Sequence, residues 1–259
     1  MKVYLPEHLG GAGLPIYTGY FNAWKKLGFD PEWYIHSLPK DRPKEYYAMT
    51  REDTLIIMRN LGVTPPKGYK SNIFSNPEKE CRDFLEGSKA TFVSTPGNYF
   101  PPPWGGHPNW VNTPPKGYVE LIESLDNVHL WTFGNSKDIE EDFYPSWKKD
   151  VHYIPLAFDD LSYNTLAKPN LKHKFDICFI GGWADNGFDE KRKIMIEHFT
   201  EFEKMGIDTG ISVGQNIPTD DEASILYNSK IAINLHDAYQ REVGTDSNER
   251  TFKSLGLNG

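Results

Sequence analysis

FDICFIGGWADNGFDEKRK, Phe175–Lys193, decides the fold. An apolar run (Phe175, Ile177, Cys178, Phe179, Ile180) stops on two glycines, crosses a short polar loop and re-emerges as a basic patch heading a helix. An apolar run of that length bounded by glycine reads as a strand buried on both faces, as in a parallel sheet under helices. A turn alone needs neither the glycine pair nor Lys191, Arg192 and Lys193. A place for an anion uses both: Gly181 and Gly182 admit it, and a cation on the first helical turn neutralises it. Three consecutive helical residues point about 100° apart, so at most two of these cations face the strand end. Arg192 is the preferred one, since its fork matches two phosphate oxygens. The alternative is a solvated helix face.

The same alternation extends in both directions. Towards the C-terminus it gives a helix over Glu190–Met205, a strand over Asp208–Val213 ending on Gly214, and a helix over Asp220–Tyr227. A strand over Ile231–Leu235 and a helix opening at Glu249 complete the series. Before it, strands are expected at Val3–Pro6, Trp33–His36, Thr54–Met58, Ala90–Ser94 and Val128–Phe133. Helices are expected at Ile16–Leu27, Pro77–Glu86 and Tyr118–Leu125. Strands alternating with helices predict parallel βαβ units. Val151–Asp160 reads as a last strand of the first half, followed by a polar, Asn- and Lys-rich linker to Lys174. The expected architecture is therefore α/β with two Rossmann-like domains, 1–160 and 161–259. Thr95–Tyr118, broken throughout by Pro and Gly, reads as a long aromatic loop. TPPKGY occurs twice, at Thr64–Tyr69 and Thr113–Tyr118, as a capping phrase and not as a repeat architecture.

Bulk properties bound the function. The 259 residues carry 38% hydrophobic and 14% aromatic content, enough for real cores. The net charge of −8 argues against a broad nucleic-acid-binding surface, which needs clustered Lys and Arg. Cys81 and Cys178 lack metal-ligand spacing and read as reduced, buried thiols. No apolar stretch approaches a membrane span and no signal-type segment opens the chain, so a cytoplasmic protein is expected.

In open parallel sheets, ligands bind outside the carboxyl ends of strands, where strand order reverses. Four features fall at such ends. Gly11 and Gly13 belong to the glycine loop after the first strand, whose spacing is not GxGxxG; a tight βα turn explains them equally well. Gly181, Gly182 and Arg192 form the second, with Gly214 at the neighbouring strand end. His236 and Asp237 close the strand in NLHDAYQ. Last, DSNERTFKSLGLNG places Ser247 or Asn248 as the cap of a helix whose first turn holds Glu249 and Arg250. There Glu249 either complements the helix dipole or accepts hydrogen bonds from a ribose.

FDICFIGGW…KR, LYNSKIAINLHD and NERTFKSLGLNG together resemble the C-terminal half of GT-B glycosyltransferases, nearest the spore-maturation (CgeB-like) group. The resemblance covers roughly 151–259 and is only general before that. It implies two Rossmann-like domains facing a cleft and a nucleoside-diphosphate sugar of UDP or GDP type held mainly by the C-terminal domain. It implies no essential metal or other cofactor, and a hexosyl- or pentosyltransferase acting on a hydroxyl of a glycan or small molecule. Carried over, Gly182 and Arg192 face the diphosphate, His236 the donor, and Glu249 and Arg250 ribose and phosphate. Two features depart from the family. Glu242 and Glu249 are seven apart where relatives often have eight, with Lys253 where many carry an acid. Relatives also continue past the position of Gly259, which implies a minimal or truncated C-terminal domain. The resemblance leans towards retention. An inverting enzyme needs a base, for which Glu7 and His8 at the first strand end are the candidates. The rival readings are another nucleotide-using Rossmann enzyme (epimerase or dehydrogenase) and a non-catalytic sugar- or nucleotide-binding module.

Overall fold

The computed structural model describes residues 1–7, 13–35, 54–58, 86–94, 118–132, 148–163, 166–182, 189–215, 217–236 and 247–257. The chain divides into two compact units, the first running to Pro155 and the second starting at Leu156.

Among the described residues the first unit holds a six-stranded sheet, parallel throughout. Its strands are β1 (Lys2–Glu7), β2 (Asp30–Ile35), β3 (Thr54–Met58), β4 (Ala90–Ser94), β5 (Val128–Thr132) and β6 (Val151–Tyr153), in the order β2-β1-β3-β4-β5-β6. The strand order reverses between β1 and β3, so Glu7 stands, exposed, at the carboxyl end beside the switch point. Val3 and Leu5 alternate onto one face and pack with Leu55, Ile57 and Tyr17. Tyr17 comes from α1 (Gly13–Lys26), which supplies Tyr20, Phe21 and Trp24 to the same cluster. Gly28 ends that helix in the left-handed region (φ 85°), with Phe29 N–H bonded to Trp24 O at 3.1 Å and Gly28 N–H to Lys25 O at 3.1 Å. α2 (Tyr118–Glu123) buries Ile122 completely.

Among its described residues the second unit has a three-stranded parallel sheet of β7 (Ile177–Gly181), β8 (Thr209–Val213) and β9 (Ile231–Ala232), in the order β8-β7-β9. Four consecutive residues of β7 are buried, as its apolar run requires. Cys178 and Ile180 face a core of Tyr163, Ala223, Leu226 and Leu257, while Phe179 packs on the opposite side beside Phe199. The helices are α3 (Asp160–Tyr163), α4 (Asp189–Lys204), α5 (Thr219–Asn228) and α6 (Glu249–Gly256).

The expected strand over Val151–Asp160 is shorter than expected: regular pairing stops at Tyr153, two residues before Pro155, which has no N–H to donate. The expected linker is not one. It contains α3 and a 3-10 turn at Leu171–His173, and Tyr163, 2% exposed, is a core residue with Phe158, Leu166 and Ala167 packed around it. Asn228 of α5 fastens this segment, donating to Lys168 O (2.8 Å) and accepting from Asn170 N–H (2.8 Å). The strand expected over Ile231–Leu235 is regular only to Ala232, although Ile233 N–H still reaches Cys178 O at 2.9 Å. Expectations for Pro77–Glu86 (apart from Glu86), for both TPPKGY phrases except Tyr118, for the loop 95–117 and for Cys81 lie outside the described residues.

Candidate functional site

In the second unit the chain leaves β7 towards β8 on one side and returns through β9 on the other. The switch point therefore lies between the carboxyl ends of β7 and β9. Gly181 and Gly182 stand at the first of these ends, and Ile233–His236 continue from the second. Gly214, just past β8, turns with φ 63° and donates its N–H to Gly181 O at 2.9 Å, so three of the expected glycines come together here.

Arg250 bridges the two strand ends. Its Nε donates to Ile180 O at 2.5 Å and its Nη1 to Asn234 Oδ1 at 3.1 Å, while the guanidinium carbon lies 5.0 Å from the Phe179 ring centroid. This explains Gly181. A Cβ there would stand 2.0 Å from Arg250 Nη2, so only glycine leaves room for the guanidinium at the strand end. The first turn of α6 carries the arginine into place. Asn248 is the cap of the two candidates, accepting from Thr251 N–H at 3.2 Å.

A polar network continues from Arg250. Asn248 Nδ2 donates to Asn234 Oδ1 (2.9 Å), Asn234 Nδ2 donates to Thr251 Oγ1, and Ser247 Oγ donates to Thr251 Oγ1 (2.9 Å). His236 Nε2 lies 3.1 Å from Ser247 Oγ. The structure thus joins His236 and Arg250, two expected site residues, through Asn234, Ser247 and Thr251. Neither Asn234 nor Thr251 is among the site residues expected from the sequence.

The neighbouring face of α6 is ionic. Lys253, 7% exposed, pairs with Glu222 Oε1 at 2.5 Å and with Glu249 one turn before it, and its amine lies 5.9 Å from the Tyr163 ring centroid. Tyr163 donates its hydroxyl to Glu222 Oε2 at 3.3 Å. Burial pushes that phenol far up, and the charges of Glu222 and Glu249 push the same way. Glu249 therefore sits in a buried ion cluster. Its i,i+4 spacing to Lys253 is the sequence signal for that pairing, and Glu222, 27 residues away, gives none.

Of the cations on α4, Lys191 is the buried one at 5% exposure, and Arg192 and Lys193 are exposed. Gly13 opens α1. Glu7 ends β1; His8, Gly11 and Asp237 lie outside the described residues, as does Glu242. Among the described residues no group of three or more His, Cys, Asp or Glu side chains is placed to hold a metal ion. None of their helices is long and apolar enough to cross a membrane.

No protein-family model matches the chain, and no curated protein does. Solved structures do match in fold. One is an alpha-glucosyltransferase in complex with UDP and a 13-mer DNA containing an HMU base, with a TM-score of 0.58 at 11% identity. The match covers 100% of this chain and 77% of that one. Another is an alpha-glucosyltransferase in complex with UDP-glucose and DNA containing an abasic site, with a TM-score of 0.55 at 12% identity, covering 98% and 76%. At these identities the likeness is one of fold alone, an α/β fold with parallel sheets.

Proposed function

We propose that the chain is a GT-B glycosyltransferase that moves a hexosyl or pentosyl group from a nucleoside-diphosphate sugar to an acceptor hydroxyl. The observation that carries this reading is the Arg250 guanidinium, lodged beside Gly181 between the carboxyl ends of β7 and β9. A switch point lined by glycines, a cation and an opening helix suits a diphosphate. The shared fold with enzymes solved with UDP and UDP-glucose supports the same class of donor.

In this reading the nucleoside diphosphate is the leaving group. Its bond to the anomeric carbon breaks as the acceptor oxygen bonds to that carbon, and the acceptor proton passes to a base or to the departing phosphate oxygen. Arg250, Arg192 and the Gly181–Gly182 backbone neutralise the charge that develops on the diphosphate, without a metal ion or other cofactor. His236 contacts the donor sugar and Glu249 the ribose, and Gly214 and Asp237 are assigned to donor binding with them. The reaction is a retaining one. Were the product inverted, Glu7 or His8, which precede Gly11 and Gly13 in the sequence, would supply the base. The resemblance to the CgeB-like group supports the donor half of this assignment, with the protein working in the cytoplasm.

The acceptor is a hydroxyl of a glycan or small molecule. Both structural neighbours were solved with DNA, but a chain of net charge −8 is poorly suited to a broad phosphate-backbone contact. Thermal-shift screening with UDP, GDP, ADP and NAD tests the donor class. A rise in melting temperature with UDP or GDP is expected. Stabilisation by NAD alone would end the reading in favour of a dehydrogenase or epimerase.

A further inference from the structure

Arg250 can only donate hydrogen bonds, and that fact orients the amide behind it. Asn234 must turn its oxygen towards Arg250 Nη1, so its amide nitrogen faces Thr251 Oγ1. The Thr251 backbone N–H likewise fixes the oxygen of Asn248 towards itself, which places the Asn248 amide nitrogen on Asn234 Oδ1. Thr251 Oγ1 accepts from Asn234, and with Ser247 Oγ donating to it at 2.9 Å its own proton goes to Asn248 Oδ1 at 3.4 Å. With the Ser247 proton committed to Thr251, the 3.1 Å contact between Ser247 Oγ and His236 Nε2 is a bond only if His236 supplies the proton. With the hydroxyls in that direction, neutral His236 is the Nε2–H tautomer.

We propose that Asn234 is the positioning residue of this site: it aims the Arg250 guanidinium and, through Thr251 and Ser247, sets the tautomer of His236. One amide thus joins both ends of the strand-end network. Its oxygen holds the cation, and its nitrogen starts the chain that ends at the imidazole. The role in ligand binding rests on the reading of Arg250 as a diphosphate ligand; the tautomer assignment does not.

Two measurements separate these dependencies. Long-range proton–nitrogen NMR of the histidine ring, assigned with His236→Gln, reads the tautomer without ligand. Wild type is expected as Nε2–H above the titration of the ring, with that preference lost in Asn234→Ala and in Thr251→Val. An Nδ1–H ring in wild type, or a tautomer unmoved in the variants, overturns the proposal. Thr251→Val leaves Asn234 in place, so it keeps the test open if Asn234→Ala does not fold. The second measurement is a UDP titration in a double-variant cycle. Asn234→Ala should weaken UDP binding about tenfold in the wild-type background and change little when Arg250 is already alanine, because the lost bond acts through the charged group. An equal loss in both backgrounds overturns the positioning role. Absence of UDP and GDP binding by wild type would instead remove the proposed function and leave the NMR result to decide the network.

Discussion

Gly181 and Arg250, 69 positions apart in the chain, occupy one space: the guanidinium Nη2 lies 2.0 Å from where a Cβ on residue 181 would stand. The glycine at the end of β7 is there to let a cation sit on the strand end. Gly181→Ala should therefore displace Arg250 and weaken UDP binding to the level of Arg250→Ala. The backbone at φ 153° adds a cost in stability of about 1–3 kcal/mol for a side chain. Urea denaturation and nucleotide titration of Gly181→Ala read the two effects separately. Parent-like UDP affinity in a folded Gly181→Ala protein would mean that the arginine contact is structural.

Lys253 makes a different kind of contact. Its amine is buried between the carboxylates of Glu222 and Glu249, and removing it leaves both charges uncompensated. Lys253→Met should destabilise the protein by about 3–5 kcal/mol. Tyr163→Phe, which removes a single hydroxyl donor to Glu222, should cost about 0.5–1.5 kcal/mol. Equilibrium urea unfolding of both variants is the check, and a Lys253→Met loss no larger than that of Tyr163→Phe would contradict the buried-cluster account.

Stability should fall on the alkaline side. Burial raises the thiol of Cys178 above its ordinary range, and burial raises the phenol of Tyr163 further still. A group whose folded pKa is raised keeps its contribution below its unfolded pKa and loses it as pH climbs towards the folded one. The decline therefore begins near about pH 8.5 for the thiol and steepens above about pH 10 for the phenol. Cys178→Ser and Tyr163→Phe should each flatten part of that decline in unfolding free energies measured from about pH 7 to about pH 10.5. An unchanged slope in both variants would show that other groups govern it.

Arg192 lies exposed on α4, so its replacement should leave folding almost untouched. Arg192→Ala should nevertheless weaken diphosphate binding by about 2–3 kcal/mol, the scale of a lost charge-assisted hydrogen bond. Arg192→Lys should recover part of that affinity, and Lys193→Ala should change little. Titrations with UDP and GDP decide it: Arg192→Ala binding as the parent does would leave Arg250 as the cation of the site.

Local chemistry was legible where it governs structure alone. The apolar runs of β3 and β4 coincide with their expected limits, and the α6 start at Glu249 is readable from Asn248 before it. What escaped was tertiary. Tyr163, Leu166 and Ala167 are scattered through a polar stretch with no helical or strand period, yet they close the core of the second unit. The glycine pair after Ile180 reads as room for an anion with a cation from α4 beside it, whereas the space beside Gly181 is filled by an arginine from α6. Asn234 carries no local signal at all, because its partners become neighbours only when α6 docks against the end of β9.

The most direct test of the account is calorimetric titration of UDP into the wild-type protein and into Arg250→Ala. The account predicts saturable binding by wild type, weakened by about 2–3 kcal/mol in a folded Arg250→Ala variant, as the loss of a charged donor to phosphate requires. Equal UDP affinity in the two proteins, or none in wild type, would contradict it.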